Sequence, residues 1–229
     1  MNCLYAIFAL LVALVAAGNP PGPGDLKCPP GVHVIVARAS QEAPGPGMIG
    51  PVAAMVLERI PASDMIPLDY PALLNPYVPS QTAGVANLTK MIQGFVEDCP
   101  ETKIVLMGYS QGAHVTLDVL CGASEEGFPN TEPLPSDVTD QIAAVVLMGD
   151  PSFTAGQPYN VGTSKGNGIF PRQRPEGCQS VQDRIFSVCD AGDVFCEAGS
   201  KSLAVHLSYV ANWGEAAADW AVSMVNRVY

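Results

Sequence analysis

Positive charge is scarce in this sequence. Eleven lysines and arginines stand against 22 aspartates and glutamates, a formal net charge of -11. A chain of that sign repels nucleic acid and an anionic membrane surface, so neither is expected as a partner. Histidine is scarcer still, with only His33, His114 and His206, and the seven cysteines include no CxxC pair. Zinc-site spacing is therefore missing, and neither a metal nor a cofactor is expected. Long hydrophobic runs are also few. One stretch, MNCLYAIFALLVALVAAGNP, is apolar over the length of a secretory signal and closes on the small residues Ala16, Ala17 and Gly18. It is somewhat short for a membrane span and runs at once into prolines and glycines. Residues 1–18 are thus expected to be a cleaved signal peptide rather than an anchor, which implies secretion and no stable membrane association.

Loss of Cys3 with that signal leaves an even set: Cys28, Cys99, Cys121, Cys178, Cys189 and Cys196. In a secreted chain an even number suggests three disulfides. Residues 19–27 are rich in glycine and proline and are expected to be a flexible lead-in, with residues 28–229 forming one catalytic domain. Along that domain VHVIVAR, TKIVLMGYS, QIAAVVLMGD and DRIFSVC have the apolar content of strands. Between and after them, PVAAMVLERI, TAGVANLTKMIQGFVEDC, the segment after Gly112 and GEAAADWAVSMVNRV have helical spacing, while PLDYPALLNPYVPSQ reads as a proline-rich loop. Strands alternating with helices predict a three-layer α/β/α sandwich with a mainly parallel central sheet, like a lidless α/β-hydrolase.

The segment IVLMGYSQGAHVTLDVL carries the chemistry. Gly108, Tyr109, Ser110, Gln111 and Gly112 spell GxSxG between a strand and a helix. A turn sharp enough to lift the serine hydroxyl off a sheet leaves no room for flanking side chains, hence the two glycines. The helix that follows aims backbone N–H groups at an anion formed beside Ser110. Such a nucleophile needs a base, and chain order puts it near the C-terminus, where His206 lies on the loop KSLAVHLSY. His33 falls inside a strand and His114 inside the nucleophile helix, so both read as packing or surface residues. For the acid, Asp190 and Asp193 follow the strand nearest His206, while Asp150 reads as structural. Asp193 is favoured over Asp190, because a disulfide from Cys189 to Cys196 would hold it rigidly, and a fixed carboxylate keeps imidazole in the working tautomer.

Taken in order, a cysteine before VHVIVARAS, then DCP, GYSQG, MGDP, YNVG, CDAGDVFC and a histidine about ten residues beyond resemble the fungal cutinases and acetylxylan esterases. The resemblance implies Ser110 as nucleophile, Asp193 as acid and His206 as base, with an oxyanion hole at Ser40 and Gln111. It also implies Cys28 to Cys99 and Cys189 to Cys196 bridges, leaving Cys121 with Cys178. The sequence departs from acetylxylan esterases at Ser164, where a cysteine can occur, and in lacking a cysteine pair around Asn75. No insertion provides a lid, so Ser110 is expected to face solvent in a shallow cleft suited to a polymeric ester. GDPSFTAGQPYNVGT looks closer to acetylxylan esterases than to cutinases, which implies deacetylation of xylan by a monomer, with cutin hydrolysis as the alternative. A secreted binding or effector-like protein without turnover is a third reading, and its mark, a missing triad member, is not found. Asn87, Leu88 and Thr89 form an N-glycosylation sequon on the outer face of a predicted helix.

Overall fold

A computed structural model describes residues 27–228; the expected signal peptide, and residues 19–26 of the lead-in, lie outside the described residues. In chain order the elements are β1 (Val32–Ala37), α1 (Gly50–Arg59), β2 (Asp64–Pro67), α2 (Tyr77–Asp98), β3 (Lys103–Tyr109), α3 (Gln111–Cys121), α4 (Ser136–Thr139), β4 (Ile142–Met148), β5 (Asn160–Val161), β6 (Ile185–Val188), α5 (Leu203–His206) and α6 (Tyr209–Val228). All strand pairs are parallel, in the order β2-β1-β3-β4-β6-β5. Among the described residues no helix is long and apolar enough to cross a membrane.

The near-continuous apolar runs of β1, β3 and β4 follow from burial of both sheet faces. Successive side chains alternate between two cores. Val34, Val36, Val105, Met107, Val146 and Met148 face α1 and α6. Ile35, Ala37, Leu106, Val145 and Leu147 face α2 and α3. These layers are the predicted sandwich.

Local differences from the sequence expectation have physical causes. β2 escapes detection because it is a four-residue edge strand whose Ile66 is exposed and whose end is proline. Helix α2 starts at Tyr77, five residues before the expected Thr82, even though Pro79 stands in its first turn. Proline is tolerated there, since the first N–H groups of a helix have no intrahelical acceptor. β5 is only two residues long.

The disulfides are Cys28–Cys99, Cys121–Cys178 and Cys189–Cys196. The first ties the start of the described chain to the end of α2. The second ties the end of α3 to the excursion before β6. The third closes a loop of seven residues' separation just beyond β6.

Candidate active site

The carboxyl ends of the parallel strands bring the predicted residues to one edge of the sheet, the usual place for a site in this architecture. Ser110 follows β3 directly, with φ 53 and ψ -118, a conformation that a side chain adopts only under strain. Both flanking glycines are sterically required. A Cβ on Gly108 would lie 2.5 Å from the Gly112 carbonyl oxygen, and one on Gly112 would lie 2.0 Å from that of Ala37.

His206 ends α5, and its Nδ1 pairs with Asp193 Oδ2 at 2.8 Å. The other carboxylate oxygen, Oδ1, accepts from the backbone N–H groups of Phe195 at 2.7 Å and Cys196 at 3.1 Å. Burial works against the charge on Asp193, but the hydrogen bond and charge of His206, with the Phe195 N–H and the Tyr209 hydroxyl, hold its carboxyl below the ordinary carboxylate range. Asp190 does not approach His206: its oxygens accept from Thr163 at 3.0 Å and from Trp213 Nε1 at 2.8 Å. Asp150, fully buried, accepts from the Ser152 N–H and hydroxyl at 2.8 Å.

Ser110 and His206 line one cavity of about 480 Å³, together with Ser40, Tyr77, Ile169, Phe170 and Phe195. The expected cleft is present, and Ser110 lines it from a recessed position. Ser110 is only 8% exposed, because the loops after β1 and before α2 rise beside it. The exposed side chains of Leu74, Ile169, Leu203 and Leu207 give the cavity an apolar rim.

The loop carrying Ser40 is fixed by charge. Glu42 accepts from the backbone N–H groups of Ala39 at 2.6 Å and Met48 at 2.7 Å, while buried Arg38 donates to the carbonyls of Glu42, Leu68 and Tyr70. Ser40 Oγ is buried and has no protein partner. Gln111 is wholly buried; its side chain turns away to donate to the Leu73 carbonyl at 3.0 Å and accept from Ser80 Oγ at 3.1 Å. That leaves its N–H at the N-terminus of α3, where helix N–H groups lack intrahelical acceptors.

Over residues 27–225 the sequence matches the cutinase family. The chain belongs to that family and is a carboxylic ester hydrolase. Acetylxylan esterase 2 of Talaromyces purpureogenus is 36% identical over 220 residues, 91% of this chain and 93% of that protein. Cutinase 11 of Verticillium dahliae is 34% identical over 228 residues, 95% of this chain and 77% of that protein. A solved acetylxylan esterase structure superposes with a TM-score of 0.81 at 34% identity, covering 86% of this chain and 99% of that one.

Three residues of this esterase's site escape a reading of the sequence. Tyr209 donates its hydroxyl to Asp193 Oδ2 at 2.7 Å and accepts from the Asp190 N–H at 2.9 Å. Tyr109 donates to the His206 carbonyl. Gly149, at φ +65, leaves room for the imidazole, since a Cβ there would lie 2.8 Å from His206 Cε1. No spacing in the sequence marks the hydroxyls of Tyr109 and Tyr209 as part of the site, and only the fold brings them to it. His33, buried in β1, pairs with Asp64 at 2.7 Å, at the opposite end of the sheet from Ser110.

Proposed function

We propose that this chain is a secreted serine esterase that cleaves esters displayed on a plant cell-wall polymer, acting as a monomer, with acetylated xylan as its substrate. Ser110 Oγ attacks the ester carbonyl while His206 Nε2 takes the hydroxyl proton. Asp193 holds the imidazole through Nδ1 and balances the imidazolium charge. The N–H groups of Ser40 and Gln111, with the free Ser40 hydroxyl, receive the tetrahedral oxyanion, each such donor contributing about 3 kcal/mol. His206 then gives its proton to the departing alcohol oxygen of the polymer. A water molecule, deprotonated by His206 in its turn, attacks the acyl-Ser110 ester; the acyl–Oγ bond breaks, His206 returns the proton to Ser110 Oγ and the acid leaves. The observation that carries this reading is the 2.8 Å pairing of Asp193 with His206, which lines the same cavity as Ser110.

Acetyl as the acyl group is supported by the acetylxylan esterase relatives and by the YNVG segment. The apolar rim of Leu74, Ile169, Leu203 and Leu207 favours a second reading, hydrolysis of the aliphatic polyester cutin. Asn87 is exposed on α2, consistent with glycosylation in a eukaryotic secretory host.

Acetate release from acetylated xylan, compared with hydroxy-fatty-acid release from cutin, separates the two. Faster release from xylan supports deacetylation, and the opposite ranking selects cutin. Ser110→Ala should abolish both while leaving the fold intact, and full activity in that variant would end the serine-esterase reading.

A further inference from the structure

Behind the nucleophile helix lies a group of charges that ester hydrolysis does not use. His114, four residues beyond Ser110 and hydrogen-bonded to its carbonyl at 3.1 Å, is fully buried. On one side its Nδ1 meets Tyr77 Oη at 3.1 Å. On the other its Nε2 faces Asp118 Oδ2 at 3.4 Å and Glu125 Oε2 at 3.9 Å. Arg172 closes the far side, 2.8 Å from Asp118 Oδ1 and 3.1 Å from Glu125 Oε1. The spacing of His114, Asp118 and Glu125 is that of a metal site, but the cation facing both carboxylates is the Arg172 guanidinium.

Asp150 adds a third carboxylate, joined to Arg172 through the Ser152 hydroxyl. Three carboxylates against one guanidinium favour a proton on His114. Burial opposes the imidazolium, but Asp118, Glu125 and Asp150 outweigh it and hold His114 above its ordinary range. In that form both ring nitrogens carry protons: Nδ1–H donates to the Tyr77 hydroxyl, and Nε2–H lies within ion-pair range of Asp118 without a hydrogen-bond partner of its own.

Tyr77 stands where this matters. It opens α2, follows an exposed stretch from Leu73 to Pro76, and lines the cavity that holds Ser110. The bond to His114 is the only side-chain hydrogen bond of Tyr77 among the described residues. Its ring centroid lies 5.3 Å from that of Phe170, another cavity wall, which in turn lies 6.1 Å from the His114 ring. Tyr77 and Phe170 thus form one wall of the cavity of about 480 Å³ beside Ser110, which has room for the acyl part of a bound ester.

We propose that His114 is a positioning residue: by gripping Tyr77 Oη from the nucleophile's own helix, it fixes the Tyr77 ring as the wall that limits the length of the acyl chain. This rests on the serine-esterase reading of Ser110. Releasing the ring lets it swing from the wall, so longer chains gain relative to acetyl.

The test measures kcat and KM for p-nitrophenyl acetate, butyrate and octanoate in the parent, Tyr77→Phe, His114→Phe and His114→Gln. Loss of this one hydrogen bond in Tyr77→Phe and His114→Phe should raise the octanoate-to-acetate ratio of kcat/KM about fivefold, mainly through a lower KM for octanoate. His114→Gln, which keeps a donor, should fall between them and the parent. A ratio within about twofold of the parent in folded variants, or an equal fall in kcat on all three esters, would overturn the proposal. If the buried-charge change keeps His114→Phe from folding, Tyr77→Phe, which removes a single oxygen, decides alone. A fluorophosphonate probe separates the two levels of inference. If it fails to label Ser110 in the parent, the esterase reading fails and the wall with it. With Ser110 labelled and the ratio unmoved, the wall alone fails.

Discussion

Tyr209 Oη and His206 Nδ1 converge on one atom, Asp193 Oδ2, at 2.7 Å and 2.8 Å. Both donors are buried, so solvent does not replace either bond if it is lost. A hydrogen bond to a charged group contributes about 1.5–3 kcal/mol. Tyr209→Phe keeps the ring and deletes this donor, its link to the Asp190 N–H and its contact with Cys196 Sγ. It should lower kcat by about tenfold with little change in KM, because the carboxylate is left freer to rotate away from the imidazole. Steady-state kinetics on a soluble acetyl ester checks this; an unchanged kcat would show that His206 and the backbone N–H groups position Asp193 unaided.

Three aspartates near the strand ends differ in what they touch, and their asparagine variants should rank accordingly. Asp193→Asn should lower kcat by up to about 10⁴-fold, since the amide cannot support the imidazolium or its tautomer. Asp190→Asn, whose partners are Thr163 and Trp213, should cost far less. Asp150→Asn should act mainly on melting temperature, because its carboxylate faces Ser152 inside the protein. A deep kinetic loss in Asp190→Asn or Asp150→Asn, with Asp193→Asn spared, would reassign the acid.

Much of this site is legible in the sequence because its demands are local. The glycines at 108 and 112 report backbone contacts that tolerate no Cβ, and strand-turn-helix order places Ser110 without reference to the rest of the chain. His206 and Asp193 follow from chain order and from the short cysteine loop. Other parts are set by distant segments and leave no spacing to read. The contact of Tyr77 with His114 joins residues 37 positions apart on two helices, and the Arg38 grip on Leu68 and Tyr70 crosses from β1 to the loop after β2. The recessed position of Ser110 likewise depends on loops from several distant parts of the chain lining its cavity, which composition does not reveal.

Acid should weaken the loop beyond β6. The N–H of Gly192 leads in holding the Glu197 carboxyl down at about 2; burial pushes it the other way, and the hydroxyls of Ser164 and Ser200 and the Lys165 N–H add to the lowering. The Asp193 carboxyl is lowered as well. In the unfolded chain these groups return to 4.5 and 3.8. Depressed carboxyls stabilise the fold fully above the unfolded values, and that contribution is lost as pH falls toward the folded ones. The melting-temperature gap between the parent and Glu197→Gln should therefore be widest above about pH 5 and narrow toward pH 2. A gap that is constant over this range would remove Glu197 from the account.

The left-handed backbone of Ser110 sets heat resistance against turnover at a single residue. A non-glycine held in such a conformation costs about 1–3 kcal/mol, which glycine would recover. The chain carries that burden at the one position whose hydroxyl is the proposed nucleophile, and the surrounding turn has no slack to relieve it. Selection of variants on thermal survival alone would thus favour an inert protein with glycine at 110 over the working enzyme. Any programme to harden this fold has to score hydrolysis in every round and draw its gains from elsewhere in the chain.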